Sequence, residues 1–374
     1  MKLKWLFCLY FGGIFIPILA QVTEKTTGFP HALHQQLFSH TEFKSEREYN
    51  KAYRIVSLGD RLGSQQCALT SQVYGWHPAW RGSAYENYDF GLLSTVAYFA
   101  YDVNPTTGSY RSIHQWRETG LVQLAHQKGT QVELTAANFG AEANRKLLSN
   151  PKATQVLVDS LLALIAEKDA DGICIDFEGI PKDQRTNFTR FIHLLSTELH
   201  RRKSYYQLTL VVYAVDWGNV FDIPALNPLV DRFVVMAYDY HGAAAPNAGP
   251  IAPLNSSSEW GKHNVNSSID YYLQAGAPKE KLLLGVPYYG YKWATKTQNV
   301  PSSTSAKGIP ILFADLKTTY QKTPLQWDTA SSTSFSTGYL QGRAYQMWVS
   351  DAKSLRRKYQ LIKKKGIAGV GIWA

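Results

Sequence analysis

The sequence predicts a (β/α)8 barrel of the TIM-barrel class, with a small insertion between the seventh strand and the final helix. Three observations predict it. Eight short apolar, β-branched and aromatic runs recur from residue 71 onward. Helix-period polar text separates most of them. The runs also lack a clean apolar–polar alternation, the pattern of parallel strands covered on both faces. Eight such units over this length fit a closed barrel. An open doubly wound sheet is the competing architecture, but no glycine-rich dinucleotide turn follows the first run.

Residues 1–20 stand apart from this rhythm. Lys2 and Lys4 precede an apolar stretch, Trp5–Leu19, and Ala20-Gln21 offers a cleavage point. This is the layout of a secretory signal peptide, and the apolar stretch is short for a membrane anchor. A secreted or periplasmic chain is therefore expected, with no membrane span in its mature form. Residues 21–70 read as an N-terminal extension and 71–374 as the barrel.

The eight runs are "QVYGW" (72–76), "STVAYFAYDV" (94–103), "TQVELTAANF" (130–139), "GICIDFE" (172–178), "QLTLVVYAVDW" (207–217), "RFVVMAYDY" (232–240), "KLLLGVPYYG" (281–290) and "IAGVGIW" (367–373). Helices are expected in "QWRETGLVQLAHQKG", "KATQVLVDSLLALIAEKD", "QRTNFTRFIHLLSTELHRR", "SSIDYYLQAGAPKE" and "AKSLRRKYQLIKKKG". Residues 294–345 carry Ser/Thr-rich text and form the insertion at the rim. No helical text follows the eighth run, so either the sequence is a fragment or another segment covers that flank, and "SEREYNKAYRIVSLGDRL" (45–62) is the segment expected there.

The formal charge is +10, much of it in "KSLRRKYQLIKKKG", which reads as a solvated helix face. No zinc spacing, phosphate loop or nucleic-acid motif is present, so neither cofactor nor nucleic-acid partner is expected. Once Cys8 leaves with the signal, Cys67 and Cys174 remain, too few for a disulfide framework.

The chemistry concentrates in "DADGICIDFEGIP", where Asp171, Asp176 and Glu178 interrupt an apolar run. Along a strand, residues two apart share a face at about 6.5–7 Å. Ile173, Ile175 and Phe177 are thus expected to face the helices. Cys174, Asp176 and Glu178 would point into the barrel, with Glu178 at the C-terminal mouth where active sites of this fold lie. Two inward carboxylates so close favour one protonated acid, suited to proton donation. The plain alternative is a pair satisfied by salt bridges, and for Asp171 that alternative weighs as much as a supporting role. A calcium-type site needs oxygen ligands at positions filled here by Ile, Cys and Phe, so no metal is expected.

"DGICIDFE" resembles the signature of glycoside hydrolase family 18, Asp-x-x-Asp-x-Asp-x-Glu on the fourth barrel strand. "MAYDYHG" (236–242), "AGPIAPL" (248–254), "LLLGVPYYGYKW" (282–293) and "SDAKSLRRKYQLIKKKGIAGVGIW" (350–373) resemble further family motifs in order. The resemblance implies a retaining glycosidase whose substrate's own acetamido oxygen attacks the anomeric carbon. Glu178 would be the acid and then the base. Asp176 would bind the acetamido N–H, and Tyr238 its carbonyl. Asp239 would contact sugar hydroxyls or the acid, Met236 would line the site, and Trp373 would floor it. Trp76, Tyr98 and Tyr289 are candidate sugar-stacking residues. The implied partner is an N-acetylglucosamine-containing glycan: chitin, chito-oligosaccharide or peptidoglycan. A non-catalytic glycan-binding protein on the same barrel is the alternative.

Three departures matter. Cys174 replaces the family's middle Asp, "ELTAANFG" replaces its usual third-strand text, and Tyr291 stands where Arg is common. The thiol removes a like charge beside Asp176 and is expected to change the pH profile rather than abolish activity.

Overall fold

The computed structural model describes His31, His34, Gln35 and residues 45–53, 69–318 and 320–373. The expected signal peptide, Cys67 and most of the extension lie outside these residues. Among them are helix α1 (Glu46–Tyr53), strand β1 (Gln72–Pro78), β2 (Thr95–Val103), helix α2 (Leu121–Gln127), β3 (Gln131–Phe139), helices α3 (Ala141–Leu148) and α4 (Pro151–Lys168), and β4 (Gly172–Glu178). Then follow α5 (Arg185–Arg202), β5 (Gln207–Tyr213), β6 (Arg232–Met236), α6 (Val265–Gln274), β7 (Leu282–Pro287), α7 (Ala352–Lys365) and β8 (Gly369–Trp373). All eight strands pair in parallel, and β1 pairs with both β8 and β2, which closes the barrel.

Local chemistry sets the helix limits. Asn150 caps α4 by accepting from Ala153 N–H, with Pro151 at the first helical position. Asp351 caps α7 through Ser354 N–H, and Gly366 ends it in the left-handed conformation at φ 66°. The α7 lysines lie mostly on the exposed face as expected, but Lys358 is buried.

The insertion is larger than expected. It is an antiparallel five-stranded sheet built from Tyr289–Ala294, Ile309–Leu312, Gln326–Asp328, Thr333–Leu340 and Arg343–Val349. It starts only two residues after β7, so the run at 281–290 is two strands, split after Pro287. Trp293 donates its indole N–H to the Ala243 carbonyl at 3.1 Å and packs on Tyr291, tying the sheet to the loop after β6.

The flank of β8 and β1 also differs. In α1, Tyr49 lies beside Gly82, Asn50 bonds Ser83, and Glu46 accepts from the Tyr85 hydroxyl at 2.8 Å. The described part of the 45–62 segment thus packs on the loop after β1. A groove of about 670 Å³, lined by Val73, Val96, Val370, Ile372 and Tyr359 among others, stays open along the flank among the described residues.

Candidate active site

Strand β4 alternates as its sequence requires. Phe177 stacks on Phe191 of α5 at 5.5 Å, so the odd-numbered residues face the helices. Cys174, Asp176 and Glu178 face the interior, each at most 1% exposed. At the mouth they meet three other strands. Trp373 ends β8, Trp76 lies on β1, and Phe99 lies on β2, where its ring is 5.0 Å from Trp373. Tyr238 follows β6 directly and enters because Gly285 on β7 leaves room. A Cβ on Gly285 would stand 2.3 Å from the Val235 carbonyl oxygen and 3.1 Å from the Tyr238 ring. That explains the glycine in "LLLGVPYYG".

The pocket between these residues holds His31. Its Nδ1 lies 2.6 Å from Asp176 Oδ2 and its Nε2 lies 2.6 Å from the Tyr238 hydroxyl. Its backbone N–H donates to Glu178 Oε1 at 3.1 Å, and its ring lies over Trp373 at 4.0 Å. His34, its neighbour one helical turn on, accepts the Trp373 indole N–H at 2.8 Å and packs edge-on to Tyr289 at 4.5 Å. Burial holds the His34 imidazole down at about 3, with the nearby His31 adding to the effect. Two buried polar atoms of the pocket wall have no hydrogen-bond partner among the described residues, Asp176 Oδ1 and Trp76 Nε1. Such atoms are uncommon in a folded interior and point to a site made for a polar ligand.

Beyond Glu178 the pocket opens into a cleft of about 560 Å³ that includes Tyr213, Trp217, Met236, Asp239, Trp260 and His263. Trp217 is 79% exposed there and meets His263 edge-on. An exposed indole in a cleft of this size suits stacking on a sugar face. Sequence reasoning missed Trp217, Trp260 and His263. The first closes a strand-like run, and the others sit in loop text without a motif, so only assembly brings them together.

Asp239 adopts a left-handed backbone, φ 56°, a conformation that aspartate tolerates better than most residues. Tyr289 and Tyr291 donate to its two carboxylate oxygens at 2.6 and 3.1 Å. Burial raises its pKa to about 6 against the lowering effect of these bonds. Tyr291, in the place of the commoner Arg, therefore serves as a neutral donor to Asp239.

Met236, Tyr238, Asp239, Trp76, Tyr289 and Trp373 thus gather around Asp176 and Glu178. Two expected members do not. Tyr98 points to the outer side of β2, where its ring packs on Trp116 at 5.3 Å and its oxygen accepts the Gln115 N–H. A register irregularity between Phe99 and Tyr101 hides which parity faces inward, and it is Phe99 that enters the pocket. Asp171 sits at the opposite end of β4, accepting from Val132 N–H and pairing with His126, both at 2.7 Å. There it joins β4 to β3 and to α2. Cys174 lies one layer below Asp176 as a buried free thiol. Burial pushes that thiol well up, with Glu133 and Asp176 nearby adding to the shift, so it carries no charge.

Among the described residues one group has metal-ligand proximity, His31, Asp176 and Glu178, with ligand atoms within 4.8 Å of one another. The 2.6 Å contact between His31 and Asp176 is a hydrogen-bond length. It suits a shared proton rather than an intervening cation.

The sequence model of Glycosyl hydrolases family 18 matches residues 73–374. The "putative sporulation-specific glycosylase YdhD" of Bacillus subtilis is 27% identical over 291 residues, covering 75% of this chain and 65% of that protein. The cortical fragment-lytic enzyme of Bacillus anthracis is 22% identical over 300 residues, covering 75% of this chain and 64% of that protein. The chain thus spans less than two thirds of the length of either relative. The fold matches a family 18 chitinase from Cycas revoluta solved with (GlcNAc)4, at TM-score 0.72 and 22% identity, over 81% of this chain and 95% of that one.

Proposed function

We propose, since the chain belongs to glycosyl hydrolases family 18, that it is a secreted hydrolase of β-1,4 bonds next to N-acetylglucosamine. Its substrate class is chitin, chito-oligosaccharide or peptidoglycan. One observation carries the reading: the Asp176 carboxylate and the Tyr238 hydroxyl both hydrogen-bond one ring, that of His31, which lies against Trp373, and Glu178 accepts the backbone N–H of the same residue, so the three converge on one ring-sized space. A sugar ring in that place would stack on the indole. Its acetamido N–H would donate to Asp176, and its acetamido carbonyl would accept from Tyr238. The carbonyl oxygen is then held toward the anomeric carbon and attacks it as the glycosidic bond breaks. Glu178 donates its proton to the leaving oxygen, and afterwards takes a proton from the water that opens the oxazolinium intermediate. Asp176 balances the positive charge on that intermediate through the N–H it accepts. The scheme uses no metal and no cofactor.

The cleft around Trp217 and Tyr213 would hold the sugars on the far side of the broken bond. The chitinase from Cycas revoluta was solved with (GlcNAc)4, and the Bacillus anthracis relative is named for cortical fragments; both support a glycan substrate. Export rests on the signal-like residues 1–20. Among the described residues no helix is long and apolar enough to cross a membrane.

The test incubates wild type and Glu178→Gln with chito-oligosaccharides and with purified peptidoglycan and reads the products by mass. Shortened products from wild type alone support the proposal. Equal turnover by both chains removes Glu178 from its role. Binding without turnover by wild type assigns the chain to the glycan-binding alternative.

A further inference from the structure

We propose that the sugar pocket is also a binding site for a segment of this chain, and that His31 and His34 occupy it as an autoinhibitory plug; this rests on the glycan reading above. The match is chemical. In the tautomer with hydrogen on Nδ1, the His31 ring donates to Asp176 and accepts the Tyr238 hydroxyl proton. That is the same donor and acceptor pair which an acetamido group presents to the same two residues. The imidazole plane lies over Trp373 where a pyranose would stack, and the backbone N–H takes a Glu178 oxygen. His31 and His34 are both helical and three apart, so they share a helix face, and both are fully buried. His34 takes the Trp373 indole N–H, so the pair covers both the ring and the edge of the floor.

The segment is tethered as well as inserted. Gln35 donates to Asp102 at the end of β2. Further along, α1 is fastened through Glu46, Tyr49 and Asn50 to the loop after β1. Tethering makes the insertion intramolecular and raises the local concentration of the plug. Yet the plug fits imperfectly, since it leaves Asp176 Oδ1 and Trp76 Nε1 unsatisfied. A glycan that bonds those atoms competes with an advantage the plug lacks. The plug therefore lowers apparent affinity by the fraction of open molecules, rather than blocking the site outright.

The test keeps the full chain and, so that (GlcNAc)4 is not hydrolysed, compares Glu178→Gln with the triple variant Glu178→Gln, His31→Ala, His34→Ala. Calorimetric titration with (GlcNAc)4 is expected to show an apparent Kd at least tenfold lower in the triple variant. A second readout does not depend on the substrate. With 13C-labelled histidine, the His31 ring resonance, assigned by its loss in His31→Ala, should be shifted upfield by the Trp373 face. It should return toward an ordinary position when (GlcNAc)4 binds. Equal Kd values, or an unshifted His31 ring, would overturn the plug. A shifted ring in a chain that binds neither (GlcNAc)4 nor purified peptidoglycan in either form keeps the plug and overturns the glycan reading instead.

Discussion

Glu133, low in the barrel, and the Asp176–Glu178 pair at its mouth are both buried acids on neighbouring strands, yet they are satisfied in opposite ways. Glu133 accepts from Tyr74 and Thr209 and pairs with Arg232 at 2.8 Å, all partners supplied by barrel strands. Burial raises its pKa to about 7 despite those partners. At the mouth, Asp176 meets a histidine 145 residues away in sequence, outside the barrel, and keeps one oxygen without a partner among the described residues. An acid completed by its own scaffold is structural. An acid left for something outside the scaffold is available for chemistry.

That contrast breaks first if Glu178 proves dispensable. Glu178→Gln is expected to lower kcat on chito-oligosaccharide by about 10²–10⁴-fold, the usual contribution of a general acid–base. Its thermal midpoint should stay close to wild type, which calorimetry checks. Glu133→Ala should do the reverse. Removing one partner of a buried pair costs about 3–5 kcal/mol, read by urea unfolding, while turnover per folded molecule is retained.

Two smaller effects sharpen the comparison. Asp239 should titrate near pH 6 because burial disfavours its charge. A limb of the kcat/KM profile is expected there, with Asp239 protonated below it and ionised above it. Tyr291→Phe removes a bond that favours the carboxylate, so the limb should move to higher pH. A limb that does not move would place Asp239 outside the reaction. Cys174→Ala should change least, costing about 1 kcal/mol and leaving turnover within about twofold, because the neutral thiol contributes its packing and weak bonds to Tyr74 and Thr135 below the site.

The barrel was legible because parallel strands write themselves as separate apolar runs, and each of the eight expected runs holds one barrel strand, the seventh ending early at Pro287. The inward face of β4 was legible because two acids spaced by two cannot point apart. Tyr98 was misplaced because strand parity is invisible without a fixed reference, and β2 changes register within its own length. Asp171 was ambiguous because a carboxylate before a strand serves equally well as a strand clamp. The insertion's edge was hidden by continuous aromatic text across Pro287–Tyr289. His31 and His34 gave no signal, since two histidines in a short mixed run, "FPHALHQQLF", acquire meaning only from the pocket they enter.

The most direct measurement is a crystal structure of the His31→Ala, His34→Ala, Glu178→Gln chain soaked with (GlcNAc)4. The account predicts one sugar ring flat on Trp373, its acetamido N–H on Asp176 and its carbonyl on Tyr238, with the residue-178 amide beside the glycosidic oxygen. An oligosaccharide bound elsewhere, or one whose glycosidic oxygen lies out of reach of residue 178, would contradict it.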